Sequence, residues 1–230
     1  MNGNGQLGIK YWQCKIWDGD DYVEETPTCA NPLPEDVPEF NLCASCFVTT
    51  YFCGFKSQFI EFKKCKLFRY ILDNYKPHIY VSEWTSGRMD CSCVYKLQCG
   101  FLGDNGSLFT EIKPFISYYK MQWDVGKWEK MQLLVTDYPD GMEAITFENE
   151  GCNTQSWKGH FGVKMAGGLI KFDFQSIEPL PIDQEGKFVS KQFKKVQYFA
   201  NGLPKEDVID YFQLDWIWND DNDEIYYFMP

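Results

Sequence analysis

The sequence predicts an all-β protein, an antiparallel β-sandwich with one short helix and a C-terminal extension. Three observations carry that prediction. Apolar and polar residues alternate in many short runs, the signature of strands with one face buried. Clusters such as Gly103-Asp-Asn-Gly106 and Asp137-Tyr-Pro-Asp-Gly141 separate these runs as turns. A single segment shows helical spacing instead.

Taken in order, Trp12, Cys14 and Ile16 alternate with Tyr11, Gln13 and Lys15, giving a first strand. Residues 25–38 hold four prolines, which remove backbone donors and fix extended backbone, so this stretch reads as a long connecting loop. Strand-like runs follow at 47–52 and 59–62. Leu67, Phe68, Ile71, Leu72 and Tyr75 then recur at helical spacing until Pro77, predicting one short helix packed on the sandwich. Further strands are expected at 79–84, 95–101, 128–135, 144–148 and 169–174, with a turn at Ala166-Gly-Gly168. The pattern changes after Phe174, which divides the chain into a sandwich domain, 1–175, and an extension, 176–230. Within the extension, 204–212 resembles a helix with Pro204 early and acids in its first turn. Residues 214–228 suit a two-stranded ribbon around the acidic turn Asn219-Asp-Asp-Asn-Asp-Glu224, which lacks the central glycine of a calcium loop.

The chain has 230 residues, 44% of them hydrophobic, enough for a full core. With 22 basic against 33 acidic residues its net charge is -11, which repels phosphate backbones and anionic lipid, so nucleic acid is not an expected partner. The first residues lack the charged head and apolar run of a signal peptide, and no stretch of eighteen apolar residues occurs. Membrane insertion is therefore not expected, and the expected location is the cytoplasm. In that setting the ten cysteines read as mostly reduced thiols. Cys43-x-x-Cys46 and Cys91-x-Cys93 have spacings that grip zinc where two such pairs meet, but both adjoin strand-like runs, and buried strand cysteines are the simpler reading. No metal or cofactor is expected.

The chemistry points to binding rather than catalysis. His78 and His160 are the two histidines, neither in a catalytic context, and no nucleophile elbow, phosphate loop or HExxH occurs. Three loop-like places carry recognition chemistry. In Ser86-Gly-Arg-Met-Asp-Cys91, Gly87 turns the chain and leaves Arg88 and Asp90 either for recognition or as a pair bracing the turn. A free carboxylate at such a tip accepts two hydroxyl protons, which suits a polyol. In Asn153-Thr-Gln-Ser-Trp-Lys-Gly-His160, Trp157 either stacks on the C–H face of a sugar, with Lys158 donating to its oxygens, or folds back on the core rim. Tyr51, near the end of the 47–52 run, lines either core or pocket and is expected to face opposite to Phe52 by alternation.

Over roughly residues 8–174 these runs resemble the F-box-associated domain, the substrate-binding module of sugar-recognising F-box proteins. The resemblance rests on Tyr11-Trp12, the run from Trp17 to Glu25, Phe47-Val-Thr-Thr-Tyr51, the run from Lys76 to Tyr95, the run from Val135 to Glu148 and Asn153-Thr-Gln-Ser-Trp-Lys-Gly-His-Phe-Gly-Val-Lys164. It implies a galactose-binding-like jelly-roll sandwich whose loops hold the inner chitobiose of high-mannose N-glycans. The implied partners are misfolded N-glycosylated proteins in ubiquitin-dependent, ER-associated degradation. It also implies sugar contacts: Tyr51 at a stacking aromatic position, Asp90 at the carboxylate that accepts sugar hydroxyls, and Trp157 and Lys158 as the Trp-Lys of the sugar loop.

Two departures shape the expectation. Ser156 replaces an aromatic beside that Trp, a loss of apolar contact worth on the order of 1–2 kcal/mol if ligand buried the ring, so a protein-interaction domain without sugar affinity is the alternative. The resemblance starts within the first ten or so residues, leaving no room for an F-box. The expectation is thus an F-box-less member similar to the nonspecific cytotoxic cell receptor type, with docking to Skp1 and other ubiquitin-ligase components in doubt.

Overall fold

The computed structural model describes residues 2–15, 22–24, 26–103, 106–109, 113–123, 126–177, 197–200 and 203–204. In chain order the strands are β1 (Gln6–Ile9), β2 (Gln13–Lys15), β3 (Val23–Glu24), β4 (Cys46–Val48) and β5 (Gly54–Glu61). The helix α1 (Lys66–Tyr75) follows. Then come β6 (His78–Ser86), β7 (Cys93–Leu102), β8 (Phe115–Lys120), β9 (Glu129–Val135), β10 (Ala144–Asn153), β11 (Lys164–Asp173), β12 (Gln197–Ala200) and β13 (Leu203–Pro204).

Two antiparallel sheets form, one ordered β2-β5-β10-β7-β8 and the other β13-β12-β9-β6-β11-β4-β3. The order β5-β10-β7-β8 opposite β9-β6-β11-β4 is that of a jelly roll, so the all-β sandwich expected from alternation is what forms. This topology brings four connections to one end of the sandwich: β4–β5, β6–β7, β8–β9 and β10–β11. Between the sheets lie Phe47, Val81, Leu97, Ile116, Leu133, Ile145, Phe147 and Val163. The proline-rich loop supplies a second cluster, where Leu33 and Phe40 pack with Cys46, Trp128 and Ala166. Phe40 meets Trp84 and Trp128 edge-on at 5.5 and 6.1 Å.

A charged group crosses the core. Lys56 of β5 donates to Glu83 of β6 at 2.7 Å, both side chains 0% exposed. Tyr95 and Asn149 also donate to the Glu83 carboxylate, while the Lys56 ammonium lies 3.9 Å from the Trp12 ring centroid and 4.6 Å from that of Phe47. Burial holds the Lys56 ammonium below its ordinary pKa, and Glu83 opposes that shift.

Several sequence expectations need correction. The 47–52 run is strand only to Val48: the Thr49 amide still follows the β4–β11 pairing, donating to the Val163 carbonyl at 3.0 Å, but at Thr50 the chain has crossed to the other sheet, its carbonyl accepting from the Asn153 amide of β10 at 2.8 Å. Ala166-Gly-Gly168 is not a turn but a register shift inside β11, with Gly167 left-handed at φ 66. Strand β8 was not anticipated. The helix is as expected; Lys76 in left-handed geometry ends it immediately before Pro77. Of the helix expected at 204–212, Pro204 pairs instead in β13, and 205–212, like the 214–228 ribbon with Trp216, Trp218 and the acidic turn, lies outside the described residues. Eight cysteines are free thiols, but Cys53 and Cys152 are joined, 4.5 Å apart at Cα. The register explains the encounter: Gly54 of β5 faces Gly151 of β10, which sets the two cysteines beside each other. Among the described residues no helix is long and apolar enough to cross a membrane, and no group of three or more potential metal ligands converges.

Candidate saccharide-binding site

The jelly-roll order places the sequence-selected residues on neighbouring loops: Tyr51 between β4 and β5, Asp90 between β6 and β7, Trp157 and Lys158 between β10 and β11. Backbone bonds join these loops. The Asn153 amide donates to the Thr50 carbonyl at 2.8 Å and the Thr154 amide to the Ser92 carbonyl at 3.0 Å. Peptide groups paired this way hold three loops as one surface.

Asn153 shapes the β10–β11 loop. Its carboxamide oxygen accepts from the Gln155 and Trp157 amides, both at 3.1 Å, and its Nδ2 donates to the Trp157 carbonyl at 2.8 Å. One fully buried side chain thus braces both backbone groups of Trp157. Ser156 adopts left-handed geometry at φ 57, turning the chain so that Ser156, Trp157 and Lys158 are exposed. At 42% exposure Trp157 does not fold back into the core. Its ring meets Phe161 edge-on at 5.4 Å.

Arg88 connects this edge to Asp90. Its guanidinium lies 4.2 Å from the Phe161 ring centroid, and its Nε and Nη2 donate to the two carboxylate oxygens of Asp90, each at 2.8 Å. The bracing role for Arg88 and Asp90 is therefore present, and it does not use up the carboxylate. A carboxylate offers about four acceptor positions, of which the bidentate pair takes two. The Arg88 hydrogen bonds hold the Asp90 carboxyl below its usual pKa, so it stands as an anion, an acceptor suited to hydroxyl donors.

On the other side the Lys158 ammonium lies 5.9 Å from the Tyr51 ring centroid. Tyr51 and Phe52 do not face opposite ways: their rings are 4.4 Å apart. The alternation expected there fails because the strand has already ended. Phe161 was missed in the sequence because an aromatic between Gly159 and Gly162 has no periodic neighbours; its only signal is its nearness to Trp157. The four selected residues thus stand in two contacting groups, Trp157–Phe161–Arg88–Asp90 and Lys158–Tyr51, linked by the Trp157–Lys158 peptide.

A family model described as the F-box associated region matches residues 1–172. F-box only protein 6 of Mus musculus is 28% identical over 171 residues, covering 74% of this chain and 56% of that protein. The Rattus norvegicus F-box only protein 6 is 30% identical over 173 residues, 74% of this chain and 58% of the relative. F-box only protein 2 of Bos taurus is 29% identical over 172 residues, 74% and 56%. The chain spans somewhat over half the length of these relatives. A solved CBM4 module superposes with TM-score 0.40 and 10% identity over 75% of this chain and 99% of the module, too distant to carry an argument.

Proposed function

Because the chain belongs to the F-box-associated family, we propose that it is a saccharide-binding module that holds the chitobiose core of high-mannose N-glycans. The single observation that carries this reading is the exposed Trp157, presented by a buried asparagine brace next to the anionic Asp90. A flat apolar ring takes the C–H face of a sugar, a carboxylate accepts its hydroxyls, and Lys158 donates to its oxygens. Water competes poorly for such a combination, since the ring gains by leaving it and the polar groups keep their hydrogen bonds.

Binding rather than turnover is the better fit. Asp90 is held as an anion by Arg88, the opposite of what a general acid at a glycosidic bond requires. In a cytoplasmic setting the partners would be misfolded N-glycosylated proteins on their way to ubiquitin-dependent, ER-associated degradation, with ubiquitin-ligase components as further partners. A second reading, a protein-interaction domain without sugar affinity, is favoured by the hydroxymethyl of Ser156 where a ring would add contact.

Screening the purified chain on a glycan array tests the reading. Signal is expected on glycans that retain the chitobiose core and not on those lacking it. A background-level response on every glycan would favour the interaction domain instead.

A further inference from the structure

The β8–β9 connection is the fourth loop at the site end, and it carries an apolar group that the saccharide reading does not use. Trp123 is 75% exposed, Met121 67% and Met89, on the β6–β7 loop, 46%. Large apolar side chains scattered singly on a surface need no explanation, but the two loops that carry these three are joined. The Trp123 amide donates to the Met89 carbonyl at 2.6 Å, and Gln122 Nε2 donates to the carbonyl of Asp90 at 3.0 Å. The loop bearing Met121 and Trp123 is thus fastened by two hydrogen bonds to the loop bearing Asp90. Trp123 is in left-handed geometry at φ 70, a conformation that disfavours a bulky side chain, and its amide is held by the bond to Met89.

We propose that Met89, Met121 and Trp123 form an apolar rim that receives hydrophobic side chains of the polypeptide flanking a bound glycan's attachment point. The inference rests on the saccharide reading of the adjoining site. The occupant follows from chemistry. Thioethers do not donate and accept only weakly, so a sugar laid on the two methionines would lose hydrogen bonds to water with little replacement. Flexible, polarisable methionines beside one flat ring adapt instead to apolar side chains of varied shape. Chitobiose is joined directly to the asparagine of its carrier, so what lies next to a bound chitobiose is polypeptide. A chain segment that displays apolar residues there is one that has not folded, and the rim would add discrimination for that state to recognition of the sugar.

The test uses the full chain and three probes: free Asn-linked chitobiose, the same glycan on a nonapeptide flanked by Leu and Phe, and the same glycan flanked by Ser and Gly. Fluorescence anisotropy measures affinity for the wild type and for Met121→Ser/Trp123→Ser, with thermal unfolding as a check on the fold. The wild type is expected to bind the Leu/Phe glycopeptide about tenfold tighter than the Ser/Gly one. The double variant is expected to lose that difference while its affinity for the free glycan stays within about twofold. Equal wild-type affinity for the two glycopeptides would overturn the rim, as would an equal loss on the free glycan, which would mean that the ring stacks on sugar. A wild-type dimer that the double variant abolishes would assign the rim to a second copy and overturn the proposal too. If the wild type binds none of the three probes, the saccharide reading fails first and the rim with it.

Discussion

Arg88 occupies both oxygens of the Asp90 carboxylate in its bidentate contact, and that contact sets how the site responds to pH. A carboxyl whose folded pKa is depressed contributes fully above its unfolded value, about 3.9, and loses the contribution only as pH falls through the lower folded value. Saccharide affinity measured at pH 5, 6, 7 and 8 should therefore be constant within about twofold. Arg88→Ala removes both the bonds and the cation over Phe161. That variant should bind about tenfold more weakly and weaken further below pH 5, which repeating the titration would show. The sequence left two roles open for Arg88 and Asp90, recognition or bracing. The side chains show why they need not exclude each other: the carboxylate has acceptor positions to spare. Alternation reaches Tyr51 only if the strand continues, and nothing local announces that the chain crosses to the other sheet at Thr50, whose carbonyl accepts from the Asn153 amide of β10.

At the scale of the element, the β10–β11 loop depends on what lies beneath it. Asn153→Ala removes one donor to and two acceptor bonds from the loop backbone, leaving the Gln155 and Trp157 amides to find water. Glycan affinity should drop by an amount similar to Trp157→Ala, at a stability cost of about 1–3 kcal/mol, read from denaturant unfolding beside the binding isotherm. Gly162 closes the loop against Thr49: its amide donates to the Thr49 carbonyl at 2.9 Å, and an added Cβ would lie 2.1 Å from Thr49 Oγ1 and 2.6 Å from the carbonyl carbon and oxygen. Backbone cannot retreat as a flexible side chain does, so Gly162→Ala should cost about 1–3 kcal/mol or more, visible as a lowered Tm. The helix and most strands were legible because their periods are long enough to read. Strand β5 was read only over its last residues, since the buried Lys56 breaks the apolar pattern of its first half. The bulge in β11 carries the same Gly-Gly pair as a turn, and only the pairing of β11 with β6 distinguishes them.

For the molecule as a whole, the Lys56–Glu83 pair ties one sheet to the other within the core. A lysine in a strand gives no sign in sequence that it will be fully buried, because such burial is rare without a partner that only the fold supplies. Lys56→Met takes the ammonium from the buried Glu83, which keeps only the Tyr95 and Asn149 donors, and should destabilise by about 3–5 kcal/mol. Replacing both with Met should cost less than the sum of the two single changes, which a denaturant double-mutant cycle would measure. The jelly roll was legible as an alternating pattern with turns, and the resemblance named its family; the meeting of four loops at one end is a property of strand order alone. That end is where the proposal places a saccharide, on Trp157 and Asp90. Calorimetric titration of the full chain and of Trp157→Ala with chitobiose is the decisive measurement. Saturable heat is expected for the wild type and none for Trp157→Ala, with cooperative unfolding unchanged because the ring lies outside the core. No heat from the wild type, or equal heat from the variant, would contradict the proposal.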